Sequence, residues 1–125
     1  MKLVLQSLGA RFAVCRLDAQ APVPAELLKG PQEFLSITRT AGELSIVCPE
    51  SLAPAGAKVQ PGWRAFKVQG PLDFSLTGII ATLTAPLAEA RISVFAVATY
   101  DTDYILVQEK DLEGAQRALA AFLRG

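Results

Sequence analysis

Asp101 and Asp103 are the only close pair of carboxylates on an expected turn, in the run Tyr100-Asp101-Thr102-Asp103. Alternate residues of an extended segment point the same way, so the two acids can share a face. Such a pair offers acid–base chemistry or a seat for a cation. It equally suits a turn whose side chains bond their own backbone. General-base work at neutral pH falls most often to histidine, and the chain has none. Nor does it carry a GxSxG elbow, a Walker loop or a GxGxxG turn. The residue types point to binding, not to catalysis, and no catalytic residue is assigned.

The second feature is Gly70-Pro-Leu-Asp-Phe-Ser-Leu-Thr-Gly78, between an expected strand and an apolar helix. Free backbone N–H groups at a helix start attract a carboxylate, and a glycine lets a ligand approach the backbone. The bland alternative is an ordinary capped helix with a packing glycine. Placed together, a helix start and an acidic turn would match the two ends of an α-amino acid. The two cysteines, Cys15 and Cys48, each sit inside an apolar run, form no CxxC pair and have no histidine beside them. They read as buried thiols in a reducing cytosol, with no metal site and no cofactor implied.

Composition narrows the partners. The formal charge is zero, from 12 basic and 12 acidic residues, and these are scattered along the chain. That leaves no electrostatic case for nucleic acid or an anionic membrane. The longest uncharged stretch, Phe74 to Ala88, is too short to span a bilayer, and the N-terminal run is too poor for a signal peptide. A cytoplasmic protein is expected. Half of the residues are apolar in a chain of 125, so part of the surface is expected to be covered by a second copy in a homodimer.

The elements that must position these residues recur along the chain. Phe34–Leu52 overlays Val94–Leu112 at a shift of 60 residues without a gap, setting Ile37 on Val97 and Ile46 on Leu106. Each copy reads as a hairpin, with strands at Ser36–Thr40 and Leu44–Val47, then Ile92–Thr99 and Tyr104–Val107. Leu76, Ile79, Ile80, Leu83 and Leu87 keep the spacing of one buried helix face. Asp73 or Ser75 is placed to cap that helix, and Pro86 to disturb its last turns. A final helix starts at Asp111 as N-cap, with Leu112, Ala115, Leu119 and Phe122 along one face. In the first copy only Ala25–Lys29 remains of the matching helix. Residues 49–62, rich in Pro and Gly, read as the linker between an N-terminal half (1–60) and a C-terminal half (61–125).

These residues resemble a known family. The strand, Asp73-Phe-Ser-Leu-Thr-Gly-Ile-Ile80, the helix ending Pro86-Leu-Ala-Glu-Ala90, and Ile92-Ser-Val-Phe-Ala-Val-Ala-Thr-Tyr-Asp-Thr-Asp-Tyr-Ile-Leu-Val107 are similar to the ACT domain. The similarity is to its Castor type, which includes animal arginine sensors and small bacterial proteins. Arg11-Phe-Ala-Val-Cys-Arg-Leu17 and Leu44-Ser-Ile-Val-Cys-Pro-Glu50 extend it to the first half. The resemblance implies an α+β fold of two ferredoxin-like βαββαβ repeats of ACT type, with antiparallel sheets and helices on one face. It also implies amino-acid binding where ACT units meet. The ligand contacts would then fall on Asp73, Phe74, Ser75, Leu76, Thr77, Gly78 and Ile79. Phe95, Ala96, Val97, Thr99, Asp101 and Asp103 would form the opposite wall.

Two departures stand out. The first half lacks such a glycine loop, and no strand follows the final helix, so Lys2–Gln6 or Trp63–Val68 is expected to complete a sheet by exchange between halves. The sequence thus points to a non-catalytic, amino-acid-binding regulatory module acting on a separate, unidentified protein. The second reading is a dimerisation or interaction module without a physiological ligand.

Overall fold

The computed structural model describes residues 3–70 and 77–123. Two long strands, β1 (Leu5–Leu17) and β4 (Lys58–Val68), organise it. β1 is followed by the hairpin β2 (Ser36–Arg39) and β3 (Leu44–Pro49). β4 is followed by α1 (Ile79–Glu89), the hairpin β5 (Phe95–Ala98) and β6 (Asp103–Gln108), and α2 (Leu112–Ala118). The strands join as one six-stranded sheet in the order β2-β3-β1-β4-β6-β5. The pairs β1–β3, β2–β3 and β5–β6 are antiparallel. The chain forms two compact units, one of residues 10–63 and one of residues up to Gly9 with Arg64 onward. Both long strands therefore pass from one unit to the other.

The expected linker is shorter than its composition suggested. β4 already begins at Lys58, so Pro61 and Gly62 lie inside a strand. Gly62 has φ of +79°, a conformation open to glycine, and its N–H donates to the Glu50 carboxylate at 2.7 Å. A positive φ absorbs the irregularity that Pro and Gly create, and the strand carries on.

In the unit of residues 10–63 the core is Ala13, Cys15, Leu27, Leu44, Ile46 and Cys48. A single 3-10 turn, Ala25–Leu28, stands where a crossover helix was reduced to Ala25–Lys29, and only Leu27 of the turn is buried. Arg39 holds the preceding loop by donating from both terminal nitrogens to the carbonyls of Ala19 and Ala21. Phe12 and Phe34 meet edge to face, centroids 5.8 Å apart.

In the other unit, α1 and α2 pack into one core with strand residues Leu5, Phe66, Val68, Ile105 and Val107. α1 contributes Ile79, Leu83 and Leu87, one residue every four. Ile80, expected on that face, is instead 37% exposed. A stripe of residues four apart already covers the strands, and Ile80 falls a hundred degrees round the helix from Ile79. The helix continues through Pro86, which leaves the Thr82 carbonyl without an intrahelical donor. It ends in a Schellman motif, with Ile92 N–H donating to Leu87 O and Arg91 N–H to Ala88 O. Arg91 takes the left-handed position at φ of +60° that glycine usually fills.

Asp111 stands at the N-cap of α2 as expected, but its side chain makes no capping bond and pairs with Lys110 at 3.3 Å. The beginning of β1 lies with this unit: Leu5 N–H donates to Phe122 O and Gln69 N–H to Val4 O, both at 2.8 Å.

The hairpins repeat with a different register from the sequence overlay. Ser36 lies opposite Val47 in the first, and Phe95 opposite Leu106 in the second, a shift of 59 residues at both positions. Ile46 therefore matches Ile105, and Cys48 matches Val107, all fully buried. A shift of 60 would have placed core residues on opposite faces, because side chains alternate along a strand.

Candidate functional site

Of the helix-start loop, Asp73, Phe74, Ser75 and Leu76 lie outside the described residues. The cap expected from Asp73 or Ser75 lies there too. Thr77 and Gly78 are exposed and Ile79 is buried in the core. Gly78 is the N-cap of α1 at φ of +75°. A Cβ at Gly78 would meet nothing within 4 Å, so this is not a packing glycine; the backbone angle requires it. Having no side chain, Gly78 cannot cap the first turn of α1. Its carbonyl accepts from Thr82 twice, from N–H at 2.9 Å and from Oγ1 at 2.7 Å. The first amides of the helix keep the positive end of its dipole.

The second wall divides. Ala96 pairs with Ile105 and Ala98 with Asp103, while Phe95 pairs with Leu106 and Val97 with Tyr104. Cross-strand partners point to the same face. Ala96 and Asp103 therefore share the face of Ile105, which packs against α1, and Phe95 and Val97 point away from it. Thr99 and Asp101 sit in the exposed turn. The alternation that would set Asp101 beside Asp103 holds only in extended backbone, and Asp101 lies in a bend before β6.

Asp103 is the unusual member. It is half-buried at the start of β6, and the matching position of the first hairpin is Leu44, a fully buried core residue. Burial pushes the Asp103 carboxyl above the usual carboxylate range. Among the described residues it has no ion-pair partner. A carboxylate so placed is partly desolvated and, among the described residues, has no cation beside it.

The sequence reading missed Thr102. It is 4% exposed, and its hydroxyl donates to the Val68 carbonyl at the end of β4. Turn residues carry no periodic signal, and its partner is 34 residues away. Cys15 and Cys48, remote in sequence, come together on the adjacent strands β1 and β3. Burial first, and then its neighbour, push the Cys48 thiol up to about 12; burial likewise raises Cys15. Both are inert thiols.

A cleft of about 430 Å³ is lined by Val4, Leu5, Gln6, Ser7 and Gln69, the last of these next to Val68 in the chain. A larger one of about 740 Å³ runs between the end of α1 and α2, with Glu89, Glu113, Lys110 and Arg117 among its walls. None of the anticipated residues lines it, and its charges are solvated side chains of both signs. Among the described residues no three His, Cys, Asp or Glu side chains gather as metal ligands. Among them also, no helix is long and apolar enough to cross a membrane.

The strand–helix–hairpin–helix of residues 58–121 matches the ACT domain, and the chain belongs to the ACT-domain family. A second family, described as an N-terminal domain, matches residues 10–55. Protein Atu0741 from Agobacterium tumefaciens is 40% identical, with a TM-score of 0.87 over 98% of this chain and 91% of that one. The human protein CASTOR3P is 33% identical over 76% of this chain and 60% of its own length. The bovine cytosolic arginine sensor for mTORC1 subunit 1 is 34% identical over 72% of this chain and 22% of its own. The chain thus spans less than two thirds of either animal relative. The bovine relative is by its name an arginine sensor, and what this chain is shown to share is the ACT domain.

Proposed function

We propose that this chain is a non-catalytic sensor that binds an amino acid between the start of α1 and the β5–β6 turn. The observation that carries the reading is Asp103, a half-buried carboxylate without an ion-pair partner among the described residues, where the matching hairpin has the core residue Leu44. Asp103 would take a cationic group, and the first amides of α1 beyond Gly78 would take the α-carboxylate. Thr77, Ile79, Ala96 and Thr99 flank these groups, while Asp101, Phe95 and Val97 have weaker support from their placement. Arginine is the first ligand to test, because the bovine relative is an arginine sensor. The relative's name also supports a cytosolic setting, and the family's regulatory role supports a homodimer acting on another protein.

We read the two units as two ferredoxin-like halves of ACT type. The support is a strand order that runs hairpin then long strand from either edge, and hairpins that match at one shift. The first half, with a 3-10 turn for its helix, would serve as scaffold.

The test is a thermal-shift screen of the purified protein against the twenty amino acids, followed by calorimetry with L-arginine. A binding ligand raises the melting temperature, by linkage worth about 2.7 kcal/mol at a hundredfold excess over Kd. Asp103→Asn should remove that rise for a cationic ligand and keep the fold. Substituting Gly78 is a poorer probe, since any side chain there strains the backbone at φ of +75°. A flat screen would favour the interaction module without a ligand.

A further inference from the structure

We propose that Thr102 is the positioning residue of this site: its hydroxyl fastens the β5–β6 turn, and with it Asp103, to the end of β4. The inference rests on the site reading above and adds the residue that sets its geometry. Thr102 is buried at 4% exposure, and Oγ1 donates to the carbonyl of Val68, the last residue of β4. β6 lies beside β4 in the sheet, and Thr102, the residue just before β6, uses that proximity to bond the end of β4 with its side chain.

The matching hairpin supplies the comparison. Its turn closes with the same three bonds: Thr40 N–H and Oγ1 donate to Glu43 O at 2.9 and 3.5 Å, and Glu43 N–H donates to Thr40 Oγ1 at 3.2 Å. In the second hairpin Thr99 N–H and Oγ1 donate to Thr102 O at 2.8 and 3.0 Å, and Thr102 N–H donates to Thr99 Oγ1 at 3.3 Å. The turn therefore closes by itself in both places, and the Thr102 hydroxyl is an addition to it. Glu43, at the matching position, is an acceptor when ionised and cannot serve a strand carbonyl. The added bond occurs in the hairpin whose next residue is the half-buried Asp103, and not in the hairpin whose next residue is the core Leu44. Val68, the acceptor, is fully buried and leads towards the segment before α1. One hydroxyl thus ties the carboxylate side of the site to the strand that leads into the helix side.

The experiment compares Thr102→Val, which keeps shape and removes the donor, with Thr102→Ser, which restores it. Ile105→Val, a core truncation on the same strand, controls for lost stability. Amide exchange at Thr99 and Thr102 and calorimetric affinity for L-arginine are measured on the full chain, at a temperature where every variant is folded. In Thr102→Val the turn amides should exchange at least about tenfold faster than the global loss of stability accounts for, and arginine should bind about tenfold more weakly. Thr102→Ser and Ile105→Val should stay within about threefold on both readouts. The proposal fails if Thr102→Val leaves the turn amides as protected as its global stability predicts. It fails equally if serine does not rescue, or if Ile105→Val weakens arginine binding to the same degree. Should the wild-type protein take up no arginine, the site reading is what has failed, and amide exchange alone decides the latch.

Discussion

On the proposed reading, Asp103 gives up stability to supply a charge for a ligand. Its carboxyl titrates above the ordinary range because it is buried, so in the window just above the ordinary carboxylate pKa of 3.8 the folded state holds more protons than the unfolded one. Stability contributed by the protonated form is therefore present at low pH and lost as pH rises through that window. Asp103→Asn should flatten this slope and raise stability at pH 7, with urea melts across pH as the measurement. A cationic ligand reverses the sign, since it needs the ionised form. Affinity for L-arginine should fall as pH is lowered into the raised titration range, read by calorimetry at several pH values, and Asp103→Asn should show no binding at any of them.

Arg91 makes a second case at this scale. Its φ of +60° places a side chain where the Schellman motif favours glycine. Arg91→Gly should stabilise by about 0.5–1 kcal/mol, the relief of left-handed strain less the entropy that glycine adds to the unfolded chain. Chemical denaturation measures it, and a loss of stability would show that the arginine side chain outweighs the strain. The acid at position 103 was legible in the sequence. The positive φ at Arg91 was not, because nothing in an Arg-Ile dipeptide announces a helix end.

Among the elements, α1 shows where periodicity informs and where it misleads. Its existence and most of its buried face follow from the spacing of Ile79, Leu83 and Leu87. Ile80 fits the same spacing and yet stands 37% exposed. Leu83→Ala should cost about 2–5 kcal/mol by leaving a cavity in the core. Ile80→Lys should change stability by no more than about 0.5 kcal/mol. A large loss in Ile80→Lys by urea denaturation would mean that Ile80 is covered, as it would be by a partner in an assembled homodimer.

The hairpins carry the same lesson. Their existence was readable, but the shift of 59 was not, because a one-residue slip exchanges one row of apolar residues for another and both rows look alike in sequence. After each hairpin stands a glutamate, Glu50 or Glu109. The first accepts from the Gly62 amide at 2.7 Å and the second pairs with Arg64 at 3.3 Å. Matching positions took different partners, which the pattern of residue types does not reveal.

At the scale of the whole molecule, the first residues of the chain complete the unit made by the last. Leu3 and Leu5 lie in the core with α1, α2 and β6, and Leu5 is 1% exposed. Removing residues 1–9 should therefore unfold the unit from Arg64 onward, seen as loss of exchange protection in α1 and β6. Leu5→Ala should cost about 2–5 kcal/mol, and its effect should appear in those elements. If truncation leaves α1 protected, the first residues of the chain are accessory to this unit.

By itself the sequence determined the α+β class, the hairpins, the two helices, the absence of histidine chemistry and an acid at position 103. Those follow from local periodicity, turn residues and side-chain types, which need only neighbours in the chain. The tertiary structure decided which face each strand presents, that Phe95 and Val97 lie on the opposite face from Asp103 and Ile105, and that Cys15 meets Cys48. It also decided that Thr102 reaches Val68. Each of these is a contact between residues dozens of positions apart, and such contacts are set by register and packing, to which a pattern along one strand is blind.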